Sequence, residues 1–151
     1  MSDILHRMGA KASPDDTYAA LATIEGLSGW WTEDTTGDTD PGGVITFQFA
    51  GPRPAEARVQ MKVLETTPGE AVVWEVVGGP EEWIGTNVRF DLKQAGDYTV
   101  VLFRHEGWAE PGEFMHHCST KWGSFLLSLK QLLETGTGAP APNDVPIDDW
   151  D

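Results

Sequence analysis

From residue 45 to residue 105 apolar side chains recur at every second position, and over residues 112–135 the spacing changes to three and four. A period of two places alternate side chains on one face of a strand, and a period near 3.6 places them on one stripe of a helix. The alternating runs carry Ile45, Phe47 and Phe49; Ala57, Val59, Met61 and Val63; Val72, Trp74 and Val76; Ile84, Thr86, Val88, Phe90 and Leu92; and Thr99, Val101, Phe103 and His105. Gly51-Pro52, Thr67-Pro68-Gly69, Gly78-Gly79-Pro80 and Ala95-Gly96-Asp97 separate them, which predicts an antiparallel meander. The helical stretch sets Met115, Cys118, Trp122, Phe125, Leu126, Leu129, Leu132 and Leu133 on one side and stops at Gly136. A sheet with one apolar face and one long amphipathic helix must cover each other.

The preceding residues add a strand over 4–11 and a short helix opened by Ser13-Pro14-Asp15-Asp16, with Ser13 as the N-cap and Pro14 at the first helical position. Tyr18, Leu21, Ala22 and Ile24 give that helix its apolar side; Gly26 and Gly29 end it, leaving the adjacent pair Trp30-Trp31 at a corner. Adjacent side chains cannot both face one core from a regular strand. One indole is therefore expected to pin the helical segment to the sheet, and the other to close the mouth of an internal space. Residues 35–43 are dense in turn formers. The expected organisation is one domain over residues 1–136 and an acidic, proline-containing tail over 137–151, extended or loosely docked.

The 151 residues include 10 basic and 24 acidic side chains, a net charge of −14, so phosphate backbones and anionic membrane surfaces would be repelled. Neither nucleic acid nor a membrane is expected as a partner. Cys118 is the single cysteine, the first residues lack the succession of a signal peptide, and no apolar run approaches membrane-spanning length. These features predict a cytoplasmic protein, monomeric or weakly homodimeric. No phosphate-cradling loop, dinucleotide fingerprint or nucleophile elbow is present, so no cofactor is expected.

Ala12-Ser13-Pro14-Asp15-Asp16-Thr17-Tyr18-Ala19-Ala20-Leu21 followed by Gly26-Leu27-Ser28-Gly29-Trp30-Trp31 resembles the opening of the START-like helix-grip superfamily, also called SRPBCC. The stretches WEVVGGPEEWIGTNVRFDL, VLFRHEGW and STKWGSFLLSLKQLLETGTGAP are similar to later blocks of its branch named for the activator of heat-shock-protein-90 ATPase. The likeness runs from about residue 4 to residue 142. It implies an α+β helix-grip fold: a curved antiparallel sheet wrapped around a long C-terminal helix, with a cavity for hydrophobic small molecules such as lipids, polyketides or plant-type aromatics.

The side chains expected to line such a cavity are Trp30, Trp31, Phe47, Phe49, Met61, Trp74, Trp83, Thr86, Val88, Phe90, Phe103, His105, Trp108, Cys118, Trp122 and Phe125. Two readings stand side by side. Aromatic rings in these positions either pack the sheet directly on the helix or leave room for a flat apolar ligand. His105 is either a hydrogen-bonded core residue or a polar contact for a ligand hydroxyl or carbonyl, with Thr86 and Arg89 as weaker polar candidates. The leading expectation is binding of an apolar, aromatic or lipid-like molecule. The alternatives are a polyketide cyclase or aromatase-like enzyme using the same cavity, and a chaperone-associated protein-interaction adaptor. His116, His117 and Cys118 are consecutive and point about 100° apart on a helix, so no metal is expected from them.

Overall fold

The structure is a computed structural model whose described residues are 1–49 and 58–151. The Gly51-Pro52 turn and Ala57 lie outside them. Seven strands form one sheet in the order β1-β7-β6-β5-β4-β3-β2, every neighbouring pair antiparallel. They are β1 (Ser2–Ala10), β2 (Asp34–Gly37), β3 (Val44–Gln48), β4 (Arg58–Thr67), β5 (Ala71–Gly78), β6 (Asn87–Ala95) and β7 (Tyr98–Trp108). Two short helices, α1 (Pro14–Ala22) and α2 (Ile24–Ser28), follow β1, and the long helix α3 (Glu113–Thr135) follows β7. No helix among the described residues is long and apolar enough to cross a membrane.

The period-two runs become the inner face of the sheet. In register across the strands lie His105, Val88, Trp74 and Val63, and beside them Phe103, Phe90 and Val72. Irregularities between Gln60/Met61 and Val63/Glu65 in the pairing of β4 with β5 bend the sheet. The resulting concave face closes on α3, whose buried side chains are Cys118, Trp122, Phe125, Leu126, Ser128 and Leu129. Polar ties fix the helix against β1: His6 Nε2 lies 3.0 Å from the Ser119 carbonyl oxygen, and Lys130 Nζ donates to the Gly9 carbonyl at 2.6 Å.

Ser13 caps α1 as its sequence position suggests, its Oγ accepting from Asp16 N at 3.0 Å. The helical segment, however, is two helices. Thr23 leaves helical geometry at φ −128° and caps α2 by accepting from Gly26 N. Two further expectations change. Residues 34–37 of the turn-rich stretch pair with β3 as the edge strand β2. The run expected to begin at Ile84 starts at Asn87, because Gly85 adopts φ +88° and ends a turn in which Trp83 N donates to the Pro80 carbonyl.

The tail is folded onto the body. Ala141 is 6% exposed; its N–H donates to the Trp31 carbonyl at 2.8 Å, and its carbonyl accepts from Glu33 N at 3.0 Å. Ser128 joins three segments, donating to the Trp30 carbonyl and accepting from Ala139 N, both at 2.8 Å.

Candidate functional site

The corner left by Gly29 carries both indoles inward, Trp30 at 0% and Trp31 at 2% exposure. Trp30 Nε1 donates to the Ala20 carbonyl at 2.8 Å, fastening the corner to α1, and its ring meets Phe90 of the sheet edge-on at 6.2 Å. Trp31 sits among rings from the sheet and from α3, with centroid separations of 4.2 Å to Phe47, 4.9 Å to Trp122, 5.4 Å to Phe49 and 6.2 Å to Trp74. Phe125 flanks the same group from α3. Tilted and edge-on packing, with Trp74 stacked parallel to Trp31, suits the ring quadrupoles and fills space between sheet and helix with aromatic surface.

Trp122 links this group to a second one at the Trp108 end of β7. His105 is fully buried there, with Trp83 at 4.7 Å, Trp108 at 5.0 Å and Trp122 at 6.0 Å between centroids. The hydrogen bonds fix its tautomer. An indole N–H can only donate, so Trp122 Nε1, 3.1 Å from His105 Nδ1, makes Nδ1 the acceptor. Nε2 then carries the hydrogen and donates to Thr86 Oγ1 at 2.8 Å, and the Thr86 hydroxyl passes on to the Trp83 carbonyl at 2.5 Å. Burial lowers the imidazole pKa from 6.5 to about 3, so the ring is neutral across the physiological range.

Two donors in this group have no acceptor. Trp83 Nε1 and Trp108 Nε1 are buried and make no hydrogen bond, in side chains 8% and 2% exposed. The Trp83 N–H faces the Cys118 sulfur and opposes the rise of its pKa, a weak contact because a thiol sulfur is a poor acceptor, and no stronger acceptor meets that N–H. Burial prevails, and the thiol is pushed up to about 12 and stays protonated. A buried unpaired donor costs about 1–3 kcal/mol, so two beside one imidazole mark a place where an acceptor oxygen would be welcomed.

The structure gathers the expected lining residues into these two groups and the sheet face between them. Fifteen of the sixteen are buried; Phe49 is partly buried and packs against the rest. Met61 lies opposite Ile45 on the inner face. Arg89 points outward and pairs with Asp91 at 2.8 Å. Sequence reasoning did not find Ser128, a polar residue on the buried side of α3, nor the division of labour among the indoles. No local pattern distinguishes a tryptophan whose N–H will meet a carbonyl from one whose N–H will not. For metals, His117, Asp148 and Asp151 form the one grouping of ligand-type side chains among the described residues, and it lies on the far side of α3's first turns, outside the aromatic interior.

The sequence signature of the Activator of Hsp90 ATPase homolog 1-like protein family matches residues 11–134. The chain belongs to that family. Among solved structures, the Aha1 dimer from Colwellia psychrerythraea shares 43% identity, covers 91% of this chain and 100% of its own, and superposes with a TM-score of 0.81. CalU16 from Micromonospora echinospora, at 20% identity, covers 93% of this chain and 77% of its own with a TM-score of 0.72. Protein SSP2350 from Staphylococcus saprophyticus, at 17% identity, covers 91% and 95% with a TM-score of 0.72. The last two share the fold alone. No curated protein matches the sequence. The expected helix-grip architecture and the Hsp90-activator branch are thus both found, and the two aromatic groups lie where a family member's sheet closes on its C-terminal helix.

Proposed function

We propose that this protein binds an apolar, flat small molecule between its sheet and α3, with a neutral oxygen acceptor of the ligand taking the N–H groups of Trp83 and Trp108. The observation that carries this reading is the pair of buried indole donors without a strong acceptor in rings that both pack against His105. The aromatic surfaces of Trp31, Phe47, Trp74 and Phe125 supply the apolar walls, and the rings would part to admit the guest. The acceptor is neutral because the one titratable base of the group is held uncharged and no cation among the described residues is buried beside it; a carboxylate would lose its hydration without a counter-charge. The polar contact therefore moves from His105, whose two nitrogens are both engaged, to the neighbouring indoles. Engagement of that imidazole and protonation of Cys118 give a cyclase-like reaction less support than binding.

The test compares 2-acetylnaphthalene with 2-ethylnaphthalene, alike in shape and different in the acceptor, by quenching of tryptophan fluorescence. The ketone should bind about ten-fold more tightly, and the advantage should vanish in Trp83→Phe or Trp108→Phe while the hydrocarbon's affinity changes less. Equal affinities in the parent chain, or no binding of either compound, would remove the proposal.

A second reading concerns assembly. The 43% identical Aha1 from Colwellia psychrerythraea is a dimer, and this chain exposes Leu5 and Leu102 on neighbouring strands of the outer sheet face, at 63% and 37%. A homodimer formed through that face would show twice the chain mass in light scattering, and Leu5→Glu would return it to the monomer.

A further inference from the structure

His117 stands near the start of α3, and the chain beyond residue 143 returns to lie beside it. Its Nδ1 is 2.7 Å from Asp148 Oδ2, and Asp151 completes a set whose ligand-type atoms all lie within 4.8 Å of one another. A single cation bonded at about 2.0–2.2 Å holds its ligands roughly 3–4 Å apart, so only small side-chain movements separate this arrangement from a coordination sphere. His117 and Asp148 line a groove of about 250 Å³ whose walls also include Glu113, His116, Asp149 and Trp150. There is room in it for water and further donors at the open positions.

The charge balance points the same way. Lys121 Nζ lies 2.5 Å from Asp144 and 3.2 Å from Asp151. One ammonium therefore pairs with Asp144 and Asp151, Asp148 meets His117 instead, and the groove adds Glu113 and Asp149. The group keeps an excess of negative charge that a divalent cation would offset. Asp151 Oδ2 already accepts from the N–H groups of Ile147 and Asp148, which orients the carboxylate from behind.

We propose that His117, Asp148 and Asp151 form a binding site for a divalent transition cation of the zinc class, clamping the C-terminal segment to α3. An imidazole nitrogen with two carboxylates suits zinc, cobalt or nickel, whereas magnesium and calcium take oxygen donors. Binding takes the Nδ1 lone pair of His117, so the hydrogen that bridges Nδ1 and Asp148 leaves to solvent as the cation enters. Consecutive helical side chains still diverge, and the site uses only His117 of the His116-His117-Cys118 run. Its other ligands come from 31 and 34 positions further along the chain.

The full chain, stripped with chelator and dialysed, is titrated calorimetrically with zinc chloride and, separately, with magnesium chloride. One zinc per chain is expected, with no comparable heat from magnesium. His117→Ala and Asp148→Asn should each weaken zinc by about ten-fold or more, with His116→Ala weakening it less, while circular dichroism of the metal-free variants stays that of the parent. Zinc also quenches or shifts the emission of Trp150, whose ring lies 5.2 Å from His117. Absence of zinc binding, unchanged zinc affinity in His117→Ala, or a greater loss in His116→Ala overturns the proposal.

Discussion

His105 shows how burial and three hydrogen-bonding neighbours settle the state of one residue. The unfolded chain takes up a proton at this imidazole near pH 6.5, and the folded chain refuses it down to about 3. Its contribution is therefore complete above about 6.5 and is lost as pH falls, at up to roughly 1.4 kcal/mol per pH unit. Carboxylates held below their ordinary range, Asp148 beside His117 and Glu134 beside Lys11 N and Lys130, are lost only at lower pH. Over about pH 6.5 to 4.5 the difference between the parent and a variant lacking this imidazole therefore reports its contribution. His105→Gln is expected to be less stable at neutral pH, since Trp122 Nε1 and Thr86 lose their partner, yet to lose less on acidification. Urea midpoints measured across that interval check this; parallel slopes for the two proteins would contradict it. The alternation of β7 put His105 on the apolar face, and that much was legible. Which of its nitrogens bears the hydrogen was not, because Trp122 and Thr86 lie 17 and 19 positions away on other elements.

At the scale of elements, the junction of α1 and α2 depends on a close backbone approach at a glycine. A Cβ on Gly26 would stand 2.5 Å from Ala20 Cα and 2.6 Å from the Ala19 carbonyl oxygen. These are backbone atoms of a capped helix and cannot yield cheaply, so Gly26→Ala should cost about 1–3 kcal/mol. Gly112, the N-cap of α3, has open space around its Cβ position and an extended φ of −136°. Gly112→Ser should be neutral or stabilise by a few tenths of a kcal/mol through an added cap hydrogen bond. Thermal unfolding of the two variants distinguishes them, and similar losses in both would refute the packing argument. The glycine at 26 was read as a helix breaker, yet the chain continues helically through it. The break falls at Thr23, whose hydroxyl caps the second helix, and a lone threonine among alanines carries weak warning of that.

Across the whole molecule, 24 acidic side chains outnumber 10 basic ones, and the surface repels itself. Few close ion pairs offset this: Arg89–Asp91, Lys130–Glu134 and the Lys121 cluster are the main ones among the described residues. Screening should consequently relieve more repulsion than it removes attraction, and the melting temperature should rise between about 10 and 150 mM sodium chloride. A fall would mean that the ion pairs dominate. The fold was readable because it rests on periodicity: strands at period two, one long stripe on α3 and a cap at Ser13 are local patterns that any covering of apolar faces must respect. Sequence alone thus determined the class of an antiparallel sheet covered by one long helix, the indole-rich interior and the acidic surface. Tertiary structure alone decided which indoles found acceptors, that residues 139–145 would dock through Ala141 and Ser128, and that His117 would meet Asp148. Each of those depends on distances between segments remote in the chain, which are set by sheet register and curvature and by no residue's own neighbours.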